Sequence, residues 1–438
     1  MAAPFWLAIA SLFCHASGQP GSTARQEKRP AGSRPVKLEL IWGPSCVVAM
    51  DRPGRRADRM LVETRADVQA VTRAASGLTG TRFNPQALAE RARDLGADEL
   101  IVSARTPEGF LWWDDPSTPL NATRATPLKR DVLRDLADAC QNLNLKLGLV
   151  IHLDDLNDLD SDPFDADVIA EPIERLLRLV PASSLRFAGD GGLDADAMRS
   201  EWLLERIRTG RAIQVNGRLG RGAERKPLSP DFLDRDDGVP EPPPSWQGRA
   251  LPWECRMGFP LEGGAAYWDG PRSLRSSRAL VEALVLTVSR GGSFVLSVGL
   301  DPTGAIPDSI DARLREVTDW LKRHQTAVVG VAPFEPEDGE PNPAGPQVAR
   351  ADRPERRDLF LTQRPRPTFV EWPVAADEVA LVRLGPEGRP LVVEPLPDAL
   401  PPRCRVMLPT TPSDPLIEVL EIHLKPEKTQ ASDFNEPM

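Results

Sequence analysis

The sequence predicts an α/β fold: a (β/α)8-like TIM barrel followed by a small C-terminal β-sandwich. Three observations predict it. Short, nearly continuous apolar runs alternate with helical periodicities from residue 36 onward, the texture of parallel strands covered on both faces. Six such strands spread over roughly 300 residues fit a closed barrel better than a short doubly wound sheet. From residue 331 the texture changes to short strands separated by Pro or Gly, as in an antiparallel sandwich.

The elements follow in order. VKLELIW (36–42) is the first strand. Asn84-Pro85 opens a helix, Asn as N-cap and Pro at the first helical position, with Leu88, Ala92 and Leu95 on one face and Gly96 at its end. ELIVSA (99–104) is a buried strand, and Asp131 begins a helix with the stripe Val132, Leu136, Cys140, Leu143. LKLGLVIH (145–152), SLRF (184–187), AIQVN (212–216) and SFVLSVG (293–299) are the remaining strands, with helices over 168–179, 196–208, 275–290 and 309–323. Residues 219–250 read as a long loop. The segments DLFLTQ, TFVEW, EVALVRL, LVVEPL, CRVML and IEVLEIHL form the sandwich.

The domain division is a signal peptide at 1–18, a disordered linker at 19–35, the barrel at 36–330, a Pro-rich linker at 331–357, the sandwich at 358–425 and a tail at 426–438. Residues 4–13, PFWLAIASLF, have the length of a signal-peptide core, and Ala16, Ser17 and Gly18 suit a cleavage site. The expected destination is secreted or periplasmic, lysosomal only in a eukaryote. No later segment approaches the 18–20 apolar residues of a transmembrane helix.

Composition narrows the function. Fifty-four basic against 64 acidic residues give a net charge of −10, which disfavours nucleic acid and anionic membranes as partners. Four His, one of them His15 in the signal segment, exclude a His-rich metal site. No cofactor is expected, because no GxGxxG follows a strand and no GxxxxGK[ST] occurs. There is no CxxC; Cys46, Cys140, Cys255 and Cys404 could pair in three ways, and four buried thiols is the preferred reading. Asn121-Ala122-Thr123 is a glycosylation sequon.

In an α/β barrel the chemistry gathers at the C-terminal strand ends. Those ends carry Trp42, Arg105 to Glu108, His152 with Asp154 and Asp155, Ala188 to Asp190, Asn216 and Trp253-Glu254. Carboxylates and tryptophans without a metal cluster suit glycosidic cleavage, which needs two carboxyl groups and apolar rings for the sugar face.

The segment PWECRM…AYWDG…SRALVEALVLTVSRGGSFVLSVGLDPTGAIPDSIDARLREVTDWLKRHQTAVVG resembles the α-L-fucosidase family of glycoside hydrolases, family 29. Ser289, Gly291, Gly292, Gly299, Gly304, Ile306, Leu314, Trp320 and Leu321 fall in register with its motifs. Upstream, LGADELIVSARTPEGFLWWDDPST is similar to the family's AGAKY…KHHDGF-x-LW run. The resemblance implies retaining cleavage of terminal α-L-fucose through a glycosyl-aspartate, with a fucosylated glycan or other carbohydrate as partner. It also exposes departures. Ile41 stands where the family has the His of HWG, and Arg105, Thr106, Pro107, Glu108, Gly109 and Phe110 replace KHHDGF. The family's W-x-DG pair falls without gaps on Ala188-Gly189; a slip of two residues brings in Asp190-Gly191. Asp190 is the expected nucleophile and Glu254, in the retained WE pair, the expected acid/base, with Asp236 or Asp237 as its substitute. Trp42, Glu108, Trp113 and His152 are the expected sugar contacts. The alternative is a fucosidase fold that binds carbohydrate, or acts as a scaffold, without cleaving.

Overall fold

The computed structural model describes residues 34–50, 68–153, 166–188, 197–218, 230–261, 274–334 and 345–426, except 351, 352, 354, 367, 398, 400 and 401. The signal segment, Asp154, Asp155, Asp190, Tyr267 and Trp268 lie outside the described residues.

Ten strands make up the first part: β1 (Val36–Ile41), β2 (Glu99–Arg105), β3 (Lys146–His152), β4 (Ser184–Ala188), β5 (Gln214–Val215), β6 (Leu233–Asp236), β7 (Ser245–Trp246), β8 (Arg249–Ala250), β9 (Trp253–Gly258) and β10 (Ser293–Gly299). Eight of them form one parallel sheet in the order β5-β4-β3-β2-β1-β10-β9-β6. A parallel bridge between Asn216 and Phe232 joins the two outer strands, so the sheet closes into a barrel. The short hairpin β7–β8 stands apart.

The barrel has two strands that an apolar-run reading misses. β6 lies within the stretch read as a loop, and β9 begins rather than ends at Trp253-Glu254. Alternate residues of these strands, Asp234 and Asp236, Glu254 and Arg256, form ion pairs with Arg218 beyond β5, with Arg186 of β4 and with Glu39 of β1. Paired charge replaces apolar side chains along one face, and the usual buried-strand signature disappears.

The helices form where their caps allow. Asn84 accepts from the Ala87 amide at 3.0 Å, Pro85 takes the first turn, and Gly96 closes the helix Pro85–Leu95 in the left-handed conformation. Asp131 caps Val132–Asn142 in the same way through the Arg134 amide. Leu88, Ala92, Leu95, Val132, Leu136 and Cys140 are buried in the main core, which includes the strand residues Leu38, Leu100, Leu147 and Phe294. Gly292 serves a packing need: a β-carbon there would lie 2.5 Å from the Trp253 ring.

The remaining strands are β11 (Val331–Pro333), β12 (Gln347–Arg350), β13 (Arg356–Leu361), β14 (Phe369–Trp372), β15 (Val379–Leu384), β16 (Val393–Leu396), β17 (Arg403–Met407) and β18 (Glu418–Leu424). They build two antiparallel sheets, β11-β12-β13-β18-β15 and β14-β17-β16, around Leu359, Trp372, Val406 and Leu420. The Pro-rich stretch read as linker thus supplies β11 and β12. The sandwich docks on the helix Asp308–Arg323: the Trp320 indole donates to Ile417 O at 2.8 Å, and Arg323 meets Asp414 at 2.9 Å.

Cys46, Cys140, Cys255 and Cys404 are all buried free thiols. The sequon is spent on structure. Asn121 is fully buried, accepts from the Arg124 amide at 3.0 Å and donates to Asp115 O and Thr118 O. No helix among the described residues is long and apolar enough to cross a membrane.

Candidate active site

Glu254 is not at the rim. It is the second residue of β9, and its carboxylate sits near the N-terminal end of the barrel, about 13 Å along the strand from Gly258. There it meets the Arg186 guanidinium at 3.0 Å through both oxygens and also pairs with Lys37. Arg186 reaches Glu99 at 2.9 Å, and Lys37 reaches the same carboxylate at 2.8 Å. Two cations and two anions therefore neutralise one another inside the barrel. Burial raises the Glu254 pKa, but Arg186 and Lys37 outweigh it and hold the carboxyl below its ordinary range. A β-carbon at Gly148 would lie 2.6–2.7 Å from Arg186, Glu99 and Ser184, so this cluster also requires a glycine on β3. An anion fixed by two cations at the wrong end of the barrel cannot protonate a leaving group at the other end. The expected acid/base role of Glu254 is corrected on this ground.

The tryptophans form a packed wall. Trp42, following β1, is 3% exposed and stacks on Trp112 at 4.2 Å and on Phe83 at 5.5 Å. The Trp112 indole donates to Trp42 O at 2.8 Å, and the buried Trp113 donates to Asp115 Oδ2 at 3.3 Å. Glu108, also buried, accepts from the Ser45 hydroxyl and so ties the loop after β2 to the turn after β1. Gly304, with φ +81°, lets the Trp42 ring approach: a β-carbon there would lie 3.0 Å from it. Trp42, Trp113 and Glu108 are thus brought together as support beneath the rim.

A different set of side chains lines the upper barrel. Arg218, beyond β5, meets Asp234 at 2.5 Å and Asp236 at 2.6 Å. Arg256 of β9 lies 3.6 Å from Asp236 and 3.2 Å from Glu39 of β1, and Glu39 accepts from Ser297 of β10 at 2.5 Å. Arg105, at the end of β2, donates to His152 O. Despite the cost of burial, Arg256 and Arg218 hold Asp236 ionised, with its pKa below the ordinary carboxylate range. Arg218, Arg256, Asp234 and Glu39 escape a reading confined to strand ends. The available signal is charge at alternate positions, as in Lys37/Glu39, Asp234/Asp236 and Glu254/Arg256.

His152 ends β3 opposite Ala188 of β4. Burial, then Arg256, Arg105 and Arg218, push its imidazole pKa down to about 3. The unfolded imidazole takes its proton near 6.5, whereas the folded one resists until about 3. Protonation therefore favours the unfolded chain, and stability falls as pH drops through that window. NMR of the imidazole is expected to show no titration of His152 between pH 5 and 8; a midpoint near 6.5 would contradict the placement of the three arginines.

Ala188 faces the barrel interior against Ile101, Val150 and Val295. Asp237 follows Asp236 at the end of β6; its amide donates to Arg256 O at 3.0 Å and its carboxylate lies 3.6 Å from Arg275. No group of three or more potential metal ligands occurs among the described residues. A cavity of about 320 Å³, lined by Arg34, Val36, Arg93, Leu95 and Lys322 among others, opens at the N-terminal end of the barrel, away from the rim.

The sequence pattern of the family described as Alpha-L-fucosidase matches residues 67–176 and 187–326, more than half of the chain. The plasma alpha-L-fucosidase of Homo sapiens is 24% identical over 316 residues, 68% of this chain and 64% of that protein. The chain thus spans just under two thirds of that relative's length. The alpha-L-fucosidase of Dictyostelium discoideum is 22% identical over 256 residues, 55% of this chain and 54% of that protein. Among solved structures, an alpha-L-fucosidase from Vibrio sp. strain EJY3 superposes with TM-score 0.76 at 21% identity, covering 90% of this chain and 72% of that one. A Bacteroides thetaiotaomicron alpha-L-fucosidase trapped as a covalent intermediate superposes with TM-score 0.75 at 15% identity, covering 93% and 100%. The two superpositions show a shared fold, and with more than half of the sequence matching the family pattern, the chain belongs to the α-L-fucosidase family, glycoside hydrolase family 29.

Proposed function

We propose that this protein hydrolyses terminal α-L-fucosides of glycans with retention of configuration. The observation that carries the reading is that the family pattern resumes at residue 187, at the end of β4, and continues through the segment that follows it. In the sequence that segment leads from Ala188 to Asp190, and Asp236 ends β6 with Asp237 following it. In this reading Asp190 attacks the anomeric carbon, forming a glycosyl ester as the bond to the leaving oxygen breaks. The leaving oxygen takes a proton from a second carboxyl group, which then removes a proton from the water that cleaves the ester. With Glu254 committed elsewhere and Asp236 held as an anion by Arg218 and Arg256, that group is Asp237. His152, neutral at working pH, accepts or donates a hydrogen bond to a sugar hydroxyl, and the wall of Trp42, Trp112 and Trp113 keeps the rim rigid. Export through residues 4–13 would bring the enzyme to extracellular or periplasmic glycans, or to lysosomal ones in a eukaryote.

Hydrolysis of p-nitrophenyl α-L-fucoside and of a fucosylated oligosaccharide, followed by NMR, tests the reading. α-L-Fucose is expected as the first product. Asp237→Asn should lose about 10²–10⁴-fold on the oligosaccharide and far less on the aryl glycoside. p-Nitrophenolate departs without a proton, which explains the difference. Release of β-fucose first, or no turnover by the wild type, would overturn the proposal.

A further inference from the structure

We propose that Asn216 is a positioning residue that clamps the end of β4 and orients Asp236 through Asp234 and Arg218; its link to catalysis rests on the fucosidase reading. The barrel is weakest at β5, which is only two residues long. Its ladder with β4 stops at Leu185 and Val215, and one bridge joins it to the β6 side. Phe187, near the end of β4, therefore has no strand partner on that side. The Asn216 carboxamide takes this place. Its Oδ1 accepts from the Phe187 amide at 2.9 Å, and its Nδ2 donates to Phe187 O at 3.0 Å. A carboxamide presents a carbonyl and an N–H side by side, so it can serve both groups as a peptide of a longer β5 would.

The same Nδ2 also donates to Asp234 Oδ1 at 3.0 Å. The other oxygen of Asp234 holds the Arg218 Nε at 2.5 Å, and Arg218 Nη2 holds Asp236 at 2.6 Å. One buried amide, 2% exposed, thus connects the strand end that leads to Asp190 with the carboxylate at the end of β6. Asp in this position could accept from the Phe187 amide. It could not donate to Phe187 O, and it would set a second anion against Asp234.

Hydrogen exchange and steady-state kinetics of Asn216→Asp and the milder Asn216→Ser test this. In both variants, exchange in peptides covering 184–188 is expected to quicken by about tenfold or more. On p-nitrophenyl α-L-fucoside, kcat should fall roughly 10–100-fold with KM within about threefold. Val281→Ala, a core substitution in the helix Ser277–Ser289, serves as the destabilised control and should spare kcat. Unchanged exchange at 184–188 in both variants would overturn the clamp. An equal kcat loss in the control would overturn the positioning role. A wild type that releases no fucose would sink the fucosidase reading, while the exchange result still decides the clamp.

Discussion

With Asp190 as the proposed nucleophile, Asp190→Ala is expected to lower kcat on p-nitrophenyl α-L-fucoside by at least about 10³-fold, because no ester can then form. Side chains two apart on a strand share a face. On β4, Arg186 pairs with Glu254 inside the barrel, and Ala188 packs inside it against Ile101, Val150 and Val295. Alanine at 188 cannot attack a sugar, and Asp190, two residues on in the sequence, is the proposed nucleophile. In the alanine variant an added small nucleophile such as azide has room to attack the anomeric carbon from the vacated side. Partial recovery of turnover, with a β-L-fucosyl azide as product, is the expected signature. A variant as fast as the wild type would place the nucleophile elsewhere, and Glu254 would not be the substitute.

Glu254→Gln is expected to reduce stability by about 3–5 kcal/mol, the cost of breaking a buried ion pair, while the folded fraction keeps its turnover. The carboxylate is 4% exposed and bonded to a fully buried Arg186 and to Lys37. Neutralising it leaves two cations with only Glu99 to balance them. Denaturant unfolding measures the loss. The pH dependence has a definite sign. With a folded pKa below the ordinary 4.5, the contribution is present above that value and disappears as pH falls through the lower folded one. An acid/base at the rim behaves in the opposite way: its amide variant folds normally and loses turnover. A stable, inactive Glu254→Gln would restore the catalytic assignment that the geometry removes.

Much of the fold was legible because local signals agreed with the tertiary outcome. Asn84-Pro85 and Gly96 bound their helix as capping chemistry requires, and the apolar runs at 36–41, 99–105, 146–152 and 293–299 are barrel strands. β6 and β9 were not legible as apolar runs, since their interior faces carry charge that only cross-strand partners make tolerable. Those partners come from distant positions: Glu254 meets Arg186, and Asp234 meets Arg218. Trp253-Glu254 matched a family motif, yet a motif does not tell which end of a strand it occupies. The expected rim position of Trp253-Glu254 was therefore wrong in height along its strand.

By itself, the sequence determined the order of the apolar strands and capped helices, the family resemblance and the absence of imidazoles at positions 41, 106 and 107. Each of these rests on residue type and near-neighbour spacing. Only the tertiary structure decided that Glu254 belongs to a neutral ion cluster under the site, that Trp42 and Trp113 are packed wall, and that Asn121 is a buried cap. It also joined Asn216, Asp234, Arg218 and Asp236 into one chain. The physical reason is barrel closure: it places strands far apart in sequence side by side. Whether a charge is catalytic or structural depends on its height along the strand and on the partner it meets there.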